Sequence, residues 1–238
     1  MIDVEKIKSE AIAAYPNEAV WLVTEKRGCY QVENIHSDPE NFFKISSEDS
    51  LQASLEGLLQ VIHSHCDVPE VPSREDMELF ERVNVPCGIL TTDGEWASEI
   101  LWMNEDIPPL EGRPFIHGIS DCYSVLRDYY RLKGFEVADV PRDWCWWDSE
   151  EDNYLEKLFE SRGFYEVPKE EARAGDSWLA LIRGPVIHHC GVLLENDLIL
   201  HHPGASEPID RSKLSIVEPI YRYLPYIQKF VRFKGFEK

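Results

Sequence analysis

The chain has 238 residues, of which 24 are lysine or arginine and 44 are aspartate or glutamate, so its formal net charge is −20 at pH 7. This acidity argues against nucleic-acid binding, because an acidic surface displaces no counterions from a phosphate backbone. It also gives no electrostatic steering toward an anionic cell wall or membrane. Hydrophobic residues make up 43% of the sequence, which is enough for one large folded domain or two small ones.

The N-terminal stretch is charged and lacks the apolar core of a signal peptide, and no segment approaches 18 uninterrupted apolar residues. We therefore expect no secretory signal and no direct membrane insertion. The six cysteines are spread without paired spacing or a CxxC motif, which favours reduced thiols over a disulfide framework.

Helical and extended patterns alternate through the first hundred residues. The predicted elements, in chain order, are a helix over residues 2–14, strands over 19–24 and 28–35, a helix over 50–57, a strand over 58–65, a helix over 73–83 and a strand over 86–91. This order predicts an α/β/α domain over residues 1–103.

The second half is predicted to be a separate α+β domain over residues 113–238. It follows an acidic segment with adjacent prolines, residues 104–112, which is typical of a linker. The predicted elements are helices over residues 122–133 and 153–162, and strands over 177–182, 187–194, 198–202 and 220–224.

Three candidate metal ligands lie in the first domain. His63 and His65 are two apart on a predicted strand and so point to one face, and Asp76 can add a carboxylate. Three protein ligands leave a fourth position for water, as in a catalytic zinc site, and Glu18 is the candidate base. Simpler explanations stay open, because Ser73-x-x-Asp76 is also a helix-capping motif and a single His-x-His pair is common.

This pattern resembles the JAMM (Mov34/MPN) metallopeptidase family, in which a glutamate precedes His-[Ser/Thr]-His, seven residues, Ser, two residues and Asp. Residues 66–72 supply the seven. The resemblance implies that His63, His65 and Asp76 bind zinc, that Glu18 is the general base, and that Ser73 helps to hold the oxyanion.

One position departs from the JAMM pattern. The family usually carries a small Cys-Gly pair shortly after the glutamate, whereas this chain has Val20-Trp21. We expect the large Trp21 side chain to narrow the groove or to displace Glu18, and thus to harm peptidase chemistry more than zinc binding.

A second set of reactive side chains lies in the other half. Ser120-Asp121 are good N-cap residues, so Cys122 falls in the first turn of a helix, where the dipole favours a thiolate. If residues 195–197 form a hairpin loop, His189 and His201 become diagonal neighbours on one sheet face. These are a nucleophile, a base and an orienting group. The alternative is a buried helix cysteine with an exposed or metal-binding histidine hairpin.

The same segment resembles the NlpC/P60 peptidase family at several points. The matches are Asp121-Cys122 opening a helix, Gly175-Asp176 before the next strand, His189-x-Gly191-Val192, and His201 twelve residues after His189. The resemblance implies a papain-like domain with Cys122 as nucleophile, His189 as base and His201 as the third polar residue. Cys190 follows the base where Val or Ala is usual.

The two domains in this order resemble the tail assembly protein K family of lambda-like tailed phages. The resemblance implies a tail-tip protein, made in the host cytoplasm and carried in the virion, with other tail-tip proteins as partners. Its second domain would cleave peptidoglycan stem peptides while the genome enters the cell, and the first would hold Zn²⁺. Two alternatives remain: a structural tail-tip protein with vestigial sites, or a JAMM-type maturation protease that trims tail proteins.

Overall fold

The computed structural model describes residues 2–104, 106–148 and 154–237, and its mixture of helices and strands confirms the predicted α+β class. The chain divides into two compact units. One comprises Met1–Val71 with Leu79–Asp106, and the other comprises Pro72–Glu78 with Ile107–Lys238. The linker over residues 104–112 stays a prediction, and Glu105 within it lies outside the described residues.

The first unit is built around a five-stranded sheet with strand order β2-β1-β3-β4-β5, in which β3 and β4 are parallel. The elements are α1 (Val4–Ala14), β1 (Val20–Thr24), β2 (Gly28–Val32), α2 (Ser47–Leu55), β3 (Leu58–Cys66), α3 (Arg74–Val83), β4 (Cys87–Thr92) and β5 (Leu101–Met103). The division between the units passes through α3.

Helix α1 begins where Asp3 accepts a hydrogen bond from the backbone N–H of Lys6, an ordinary N-cap. Its buried face, with Ile7 and Ala11, packs in one core cluster with Trp21 of β1 and with residues of β3 and β4. Helix α2 begins earlier than predicted, because Ser46 caps it by accepting from the backbone of Asp49.

The second unit contains a six-stranded sheet with strand order β12-β10-β9-β8-β13-β7 and a separate β11-β6 pair. Its elements are β6 (Pro114–Ile116), α4 (Cys122–Leu132), α5 (Tyr154–Ser161), β7 (Phe164–Val167), β8 (Ser177–Ala180), β9 (His189–Leu193), β10 (Leu198–His201), β11 (Ile209–Leu214), β12 (Ile216–Pro219) and β13 (Ile227–Phe233). The helix predicted over residues 153–162 is α5, and Asn153 lies outside the described residues.

Helix α4 is strongly amphipathic, and its buried residues Leu126 and Tyr130 share a core cluster with Cys190 and Val192 of β9. Trp178 of β8 belongs to a different cluster of the same unit. The sheet thus has two packed faces, and α4 covers one of them. No described helix has the length and hydropathy needed to cross a membrane.

The strand predicted over residues 220–224 is wrong. Ile220–Arg222 form a 3-10 turn, in which the backbone N–H groups of Tyr223 and Leu224 both donate to the carbonyl of Ile220. Pro219 precedes the turn and Pro225 follows it, and proline supplies no N–H to a ladder. The strand that joins the sheet comes directly after, at Ile227–Phe233.

Candidate active site and metal centre

Cys122 is the first residue of α4, and the N-cap residue Asp121 fixes the backbone on both sides of it. Asp121 Oδ1 accepts from the backbone N–H of Ser124 at 3.0 Å, and Oδ2 accepts from that of Gly118 at 2.9 Å. The N–H groups of the first helical turn therefore surround the cysteine, and they favour negative charge on its sulfur.

A buried arginine holds this N-cap. Arg142 donates to Asp121 Oδ2 through two nitrogens, at 2.5 and 3.2 Å, and to Asp139 Oδ1 at 3.1 Å. Burial by itself raises the pKa of the Asp121 carboxyl, but the Arg142 guanidinium outweighs it, with help from His117, and keeps that pKa well below its usual range. Asp121 is therefore a carboxylate, locked by charge-assisted hydrogen bonds.

Two neighbours act on the sulfur of Cys122. A hydrogen bond with the Cys190 thiol lowers the pKa of Cys122 most, burial opposes it, and a hydrogen bond with His189 lowers that pKa further, so the net pKa is well below the usual range. The same contacts act in reverse on Cys190, whose pKa is raised by burial and by its bond to Cys122. The position where the sequence differs from the NlpC/P60 pattern thus carries a thiol that supports the thiolate.

The two histidines meet as the hairpin register predicts. Gly191 pairs with His201, and the backbone N–H of Leu194 donates to Leu198 at 2.8 Å. His189 Nε2 lies 3.1 Å from His201 Nδ1. The structure therefore brings Cys122, His189 and His201 together, and their catalytic roles stay a prediction.

The imidazole pair sits between two aromatic rings. The ring centroid of Trp178 lies 5.2 Å from that of His189, and the ring centroid of Tyr223 lies 4.6 Å from that of His201. Burial lowers the pKa of His201 to about 4, and the nearby His189 lowers it in the same direction. His201 is therefore neutral at pH 7.

A fourth polar residue at this site was not predicted from the sequence. Glu218 of β12 is buried, and its Oε1 lies 3.0 Å from His201 Nε2. An acidic residue inside the apolar stretch Ser215-Ile216-Val217-Glu218-Pro219 was the available signal, because an ionisable side chain in an otherwise apolar strand has a buried partner.

A cleft of about 610 Å³ opens over Cys122 and His189. Its walls include aromatic rings, with Trp146 and Trp147 contributed by one segment and Tyr223 by another. Trp147 also lies against the ring of His188, at 5.9 Å between centroids. A concave, partly apolar site beside a nucleophile is the usual form of a substrate-binding cleft.

The three candidate metal ligands also converge. One ligand atom each from His63, His65 and Asp76 lie within 4.8 Å of one another, and all three residues are buried. His63 Nε2 and His65 Nε2 are 3.0 Å apart, and His65 Nδ1 donates to the carbonyl of Pro69 at 3.2 Å. That donation leaves the Nε2 lone pair of His65 to face a cation, and two imidazoles with a buried carboxylate suit zinc.

Asp76 also caps its own helix, so the capping explanation that the sequence left open is present beside the convergence with the two histidines. Its Oδ2 accepts from the backbone N–H of Ser73 at 2.8 Å and from the Ser73 hydroxyl at 2.7 Å. The backbone N–H of Asp76 donates in return to Ser73 Oγ at 3.1 Å. Ser73 thus orients a candidate ligand here, and its role toward an oxyanion stays a prediction.

Glu18 lies on the same sheet face as the two histidines. Val20 pairs with His63 across β1 and β3, and extending this register two residues beyond the start of β1 places Glu18 opposite His65. The Glu18 side chain is buried. Its role as a base toward a metal-bound water stays a prediction.

The expectation for Trp21 is wrong. Trp21 alternates with Val20 along β1 and so points away from His63. Its indole packs in the core cluster that contains Ile7 and Ala11 of α1, and its Nε1 donates to Glu10 at 2.8 Å. A large residue at this position fills the opposite face of the sheet, and the face that carries Glu18 keeps its space.

Comparison with known proteins matches each half of the chain to a protein family. Residues 4–104 match the family described as prokaryotic homologs of the JAB domain, and residues 112–225 match the NlpC/P60 family. The tail tip assembly protein K of Escherichia phage N15 is 30% identical over 207 residues, which cover 84% of this chain and 83% of that protein. The tail tip assembly protein K of Escherichia phage lambda is 32% identical over 159 residues, covering 66% of this chain and 76% of that protein.

Among solved structures, an NlpC/P60 family protein from Bacillus cereus ATCC 10987 aligns with 93% of this chain and 65% of its own. Its sequence identity is 13% and its TM-score is 0.36.

Proposed function

This chain belongs to the tail tip assembly protein K family, and on that premise we propose that its NlpC/P60 domain is a cysteine endopeptidase that cleaves the peptides of peptidoglycan. Family membership gives the role in the phage tail, and the catalytic activity and its substrate are our inference. The observation that carries the proposal is the convergence of the part-buried Cys122 with the buried His189 and His201, beneath a cleft that aromatic rings partly line.

The geometry favours acyl transfer. The Cys122 thiolate attacks the amide carbon, and backbone N–H groups of the first turn of α4 are available to the oxyanion. As the tetrahedral intermediate collapses, His189 gives its proton to the leaving amine, and the acyl group remains on Cys122 as a thioester. His189 then removes a proton from water, which hydrolyses the thioester and restores the thiolate.

His201 orients the base throughout this cycle. Its Nδ1 is 3.1 Å from His189 Nε2, and its low pKa keeps it neutral when His189 carries the proton. This corresponds to the third member of a catalytic triad, which holds the tautomer of the base.

The tail context determines how such an enzyme meets its substrate. A tail component is delivered to the cell surface by the phage particle, so an acidic protein needs no charge attraction of its own to the wall. We propose that the chain acts in the tail tip beside other tail proteins, and that it cleaves stem peptides where the genome crosses the wall.

A second activity is favoured by the metal centre. His63, His65 and Asp76 would hold a zinc ion, which activates a water molecule when it is bound. Glu18, on the same sheet face, would accept the proton of that water, and Ser73 keeps the Asp76 carboxylate oriented. The corresponding function is a maturation protease that trims tail proteins.

Hydrolysis of cell walls in a zymogram separates these functions. We expect Cys122→Ala to abolish clearing, and His63→Ala and Glu18→Gln to leave it nearly unchanged. Loss of clearing in the Glu18 variant alone would transfer the activity to the zinc centre. No clearing by the wild-type chain, with tails that still assemble, would favour a structural protein with vestigial sites.

A further inference from the structure

A fourth polar side chain extends the row that begins at Cys122. In the register of β10 and β12, Ile199 pairs with Glu218 and His201 pairs with Ile216, so Glu218 and His201 are diagonal neighbours on one face. Glu218 is only 8% exposed. Its Oε1 lies 3.0 Å from His201 Nε2, the ring nitrogen opposite the one that faces His189.

Three donors surround the Glu218 carboxyl group. Oε1 accepts from His201 and, at 3.3 Å, from the hydroxyl of Tyr223, while Oε2 accepts from Arg222 at 2.6 Å. Burial raises the pKa of Glu218, but the bonds from His201 and Arg222 outweigh it, so the net pKa is lowered and the group is ionised. A carboxylate in this state can only accept hydrogen bonds.

That restriction determines where the protons of both histidines lie. Because Glu218 can only accept, His201 carries its proton on Nε2, and a neutral imidazole then has a lone pair on Nδ1. This lone pair accepts from His189 Nε2 at 3.1 Å. His189 is left with Nδ1 as the only ring nitrogen that can take the proton of the Cys122 thiol.

We propose that Glu218 is a positioning residue, which selects the tautomer of His201 and through it the proton-accepting atom of His189. The proposal rests on the cysteine-peptidase function proposed above and adds a residue that acts two steps from the nucleophile. Without the carboxylate, His201 can place its proton on Nδ1. That N–H would face the N–H of His189, and the base would turn away from Cys122.

Conservative and non-conservative variants distinguish this role from simple packing. Glu218→Leu removes the acceptor at similar volume. Glu218→Gln keeps an oxygen that can accept from His201 and Tyr223. Its NH₂ group then faces Arg222, whose exposed side chain can move away. Glu218→Asp keeps the charge but withdraws the acceptor, and it carries the test if the leucine variant does not fold. Glu195→Leu, in the exposed loop before β10, is the matched control.

The primary measurement needs no substrate. The rate of Cys122 alkylation by iodoacetamide, followed by peptide mass spectrometry across pH 4 to 9, reports the thiolate fraction. In the wild type, the glutamine variant and the Glu195 control we expect reaction to persist below neutral pH. In Glu218→Leu and Glu218→Asp we expect the midpoint to move to higher pH.

Hydrolysis of purified peptidoglycan is the second measurement. We expect kcat to fall about 10- to 100-fold in the leucine and aspartate variants, with little change in KM. This is the size of effect typical when a histidine loses the partner that orients it. We expect the glutamine variant and the Glu195 control to match the wild type. An unchanged alkylation profile in both Glu218→Leu and Glu218→Asp overturns the proposal, and so does a glutamine variant as impaired as the leucine one.

The two proposals fail in different ways. A wild-type chain that cleaves no peptidoglycan, while its alkylation profile still responds to Glu218→Leu and not to Glu218→Gln, removes the endopeptidase and keeps the positioning role. Active wild-type protein whose profile ignores every Glu218 variant removes the positioning role alone.

Discussion

Replacing the buried Arg142 should destabilise the second unit far more than replacing an exposed arginine. Arg142 is 2% exposed, and its guanidinium pairs with the buried carboxylate of Asp121 and with the part-buried carboxylate of Asp139. Arg142→Met keeps most of the apolar stem but leaves Asp121 charged and buried. Breaking a buried pair on one side costs about 3–5 kcal/mol.

The hydrogen-bond donors that remain around Asp121 narrow the expected loss of stability. After the substitution, Asp121 still accepts from the backbone N–H groups of Gly118 and Ser124 and from the Ser124 hydroxyl. These bonds compensate part of the lost charge, so we expect the lower end of the range, about 3 kcal/mol at pH 7. Arg74→Met is the control, because its ion pair with Glu78 joins two side chains that are 45% and 50% exposed, and such a pair is worth about 0–1 kcal/mol.

The loss of stability caused by Arg142→Met should be smaller at acidic pH. In the wild type the folded pKa of Asp121 lies below the unfolded value, so the pair stabilises the fold above that unfolded value and is lost as pH falls through the folded pKa. In Arg142→Met the buried carboxyl has a raised pKa instead, so protonation relieves the variant as pH falls. The difference between variant and wild type therefore narrows between pH 7 and pH 4.

Urea denaturation at pH 7 and at pH 4.5 measures this difference, with amide hydrogen exchange in α4 peptides to assign the transition to the second unit. Adding Asp121→Asn to Arg142→Met should recover part of the loss, since no charge then remains to be buried. Equal losses of stability for Arg142→Met and Arg74→Met, or a loss that does not change with pH, would refute the electrostatic account.

Three further outcomes are expected. Burial lowers the pKa of His201 from 6.5 to about 4, so the wild type should lose up to about 3 kcal/mol of stability from pH 6.5 down to pH 4. His201→Gln should flatten that dependence in urea titrations, and an unaltered slope contradicts it. Gly191→Ala should cost about 1–3 kcal/mol by thermal unfolding, because a Cβ there meets a carbonyl oxygen and an indole ring at 2.7 Å, whereas Gly204→Ala, with open space, should be neutral. Mass spectrometry of the native protein should find one zinc ion per chain, lost in His63→Ala and kept in the control His36→Ala.

The parts of the site that were predictable from sequence depend on local patterns. The start of α4 follows from the N-cap Asp121, and the position of His201 opposite Gly191 follows from the length of one hairpin loop. Both patterns span fewer than fifteen residues of chain. The α+β class was likewise predictable, because the hydrophobic periodicity indicates the order of helices and strands. The two peptidase-family domains were predictable because each family has a compact motif.

The parts that were missed depend on partners distant in sequence. Arg142 bonds to Asp121 across 21 residues and Glu218 to His201 across 17, with no periodic pattern that relates them. The strand at Ile227–Phe233 mixes charged and apolar residues, and two of its neighbours come from positions about 50 and 60 residues earlier in the chain. Such pairings are determined by the packing of the sheet, which single-chain periodicity does not contain.

Trp21 shows how a correct family resemblance can still mislead at one residue. The family pattern has two small residues at positions 20 and 21, so the large volume of tryptophan predicts that it obstructs the groove beside Glu18. Along a strand, however, adjacent side chains leave on opposite faces. Val20 faces His63, so Trp21 must face α1, and its hydrogen bond to Glu10 anchors it there. Steric obstruction by Trp21 is therefore no reason to rank the candidate metal centre below the candidate cysteine site, and the comparison of Glu18→Gln with Cys122→Ala becomes a test of chemistry alone.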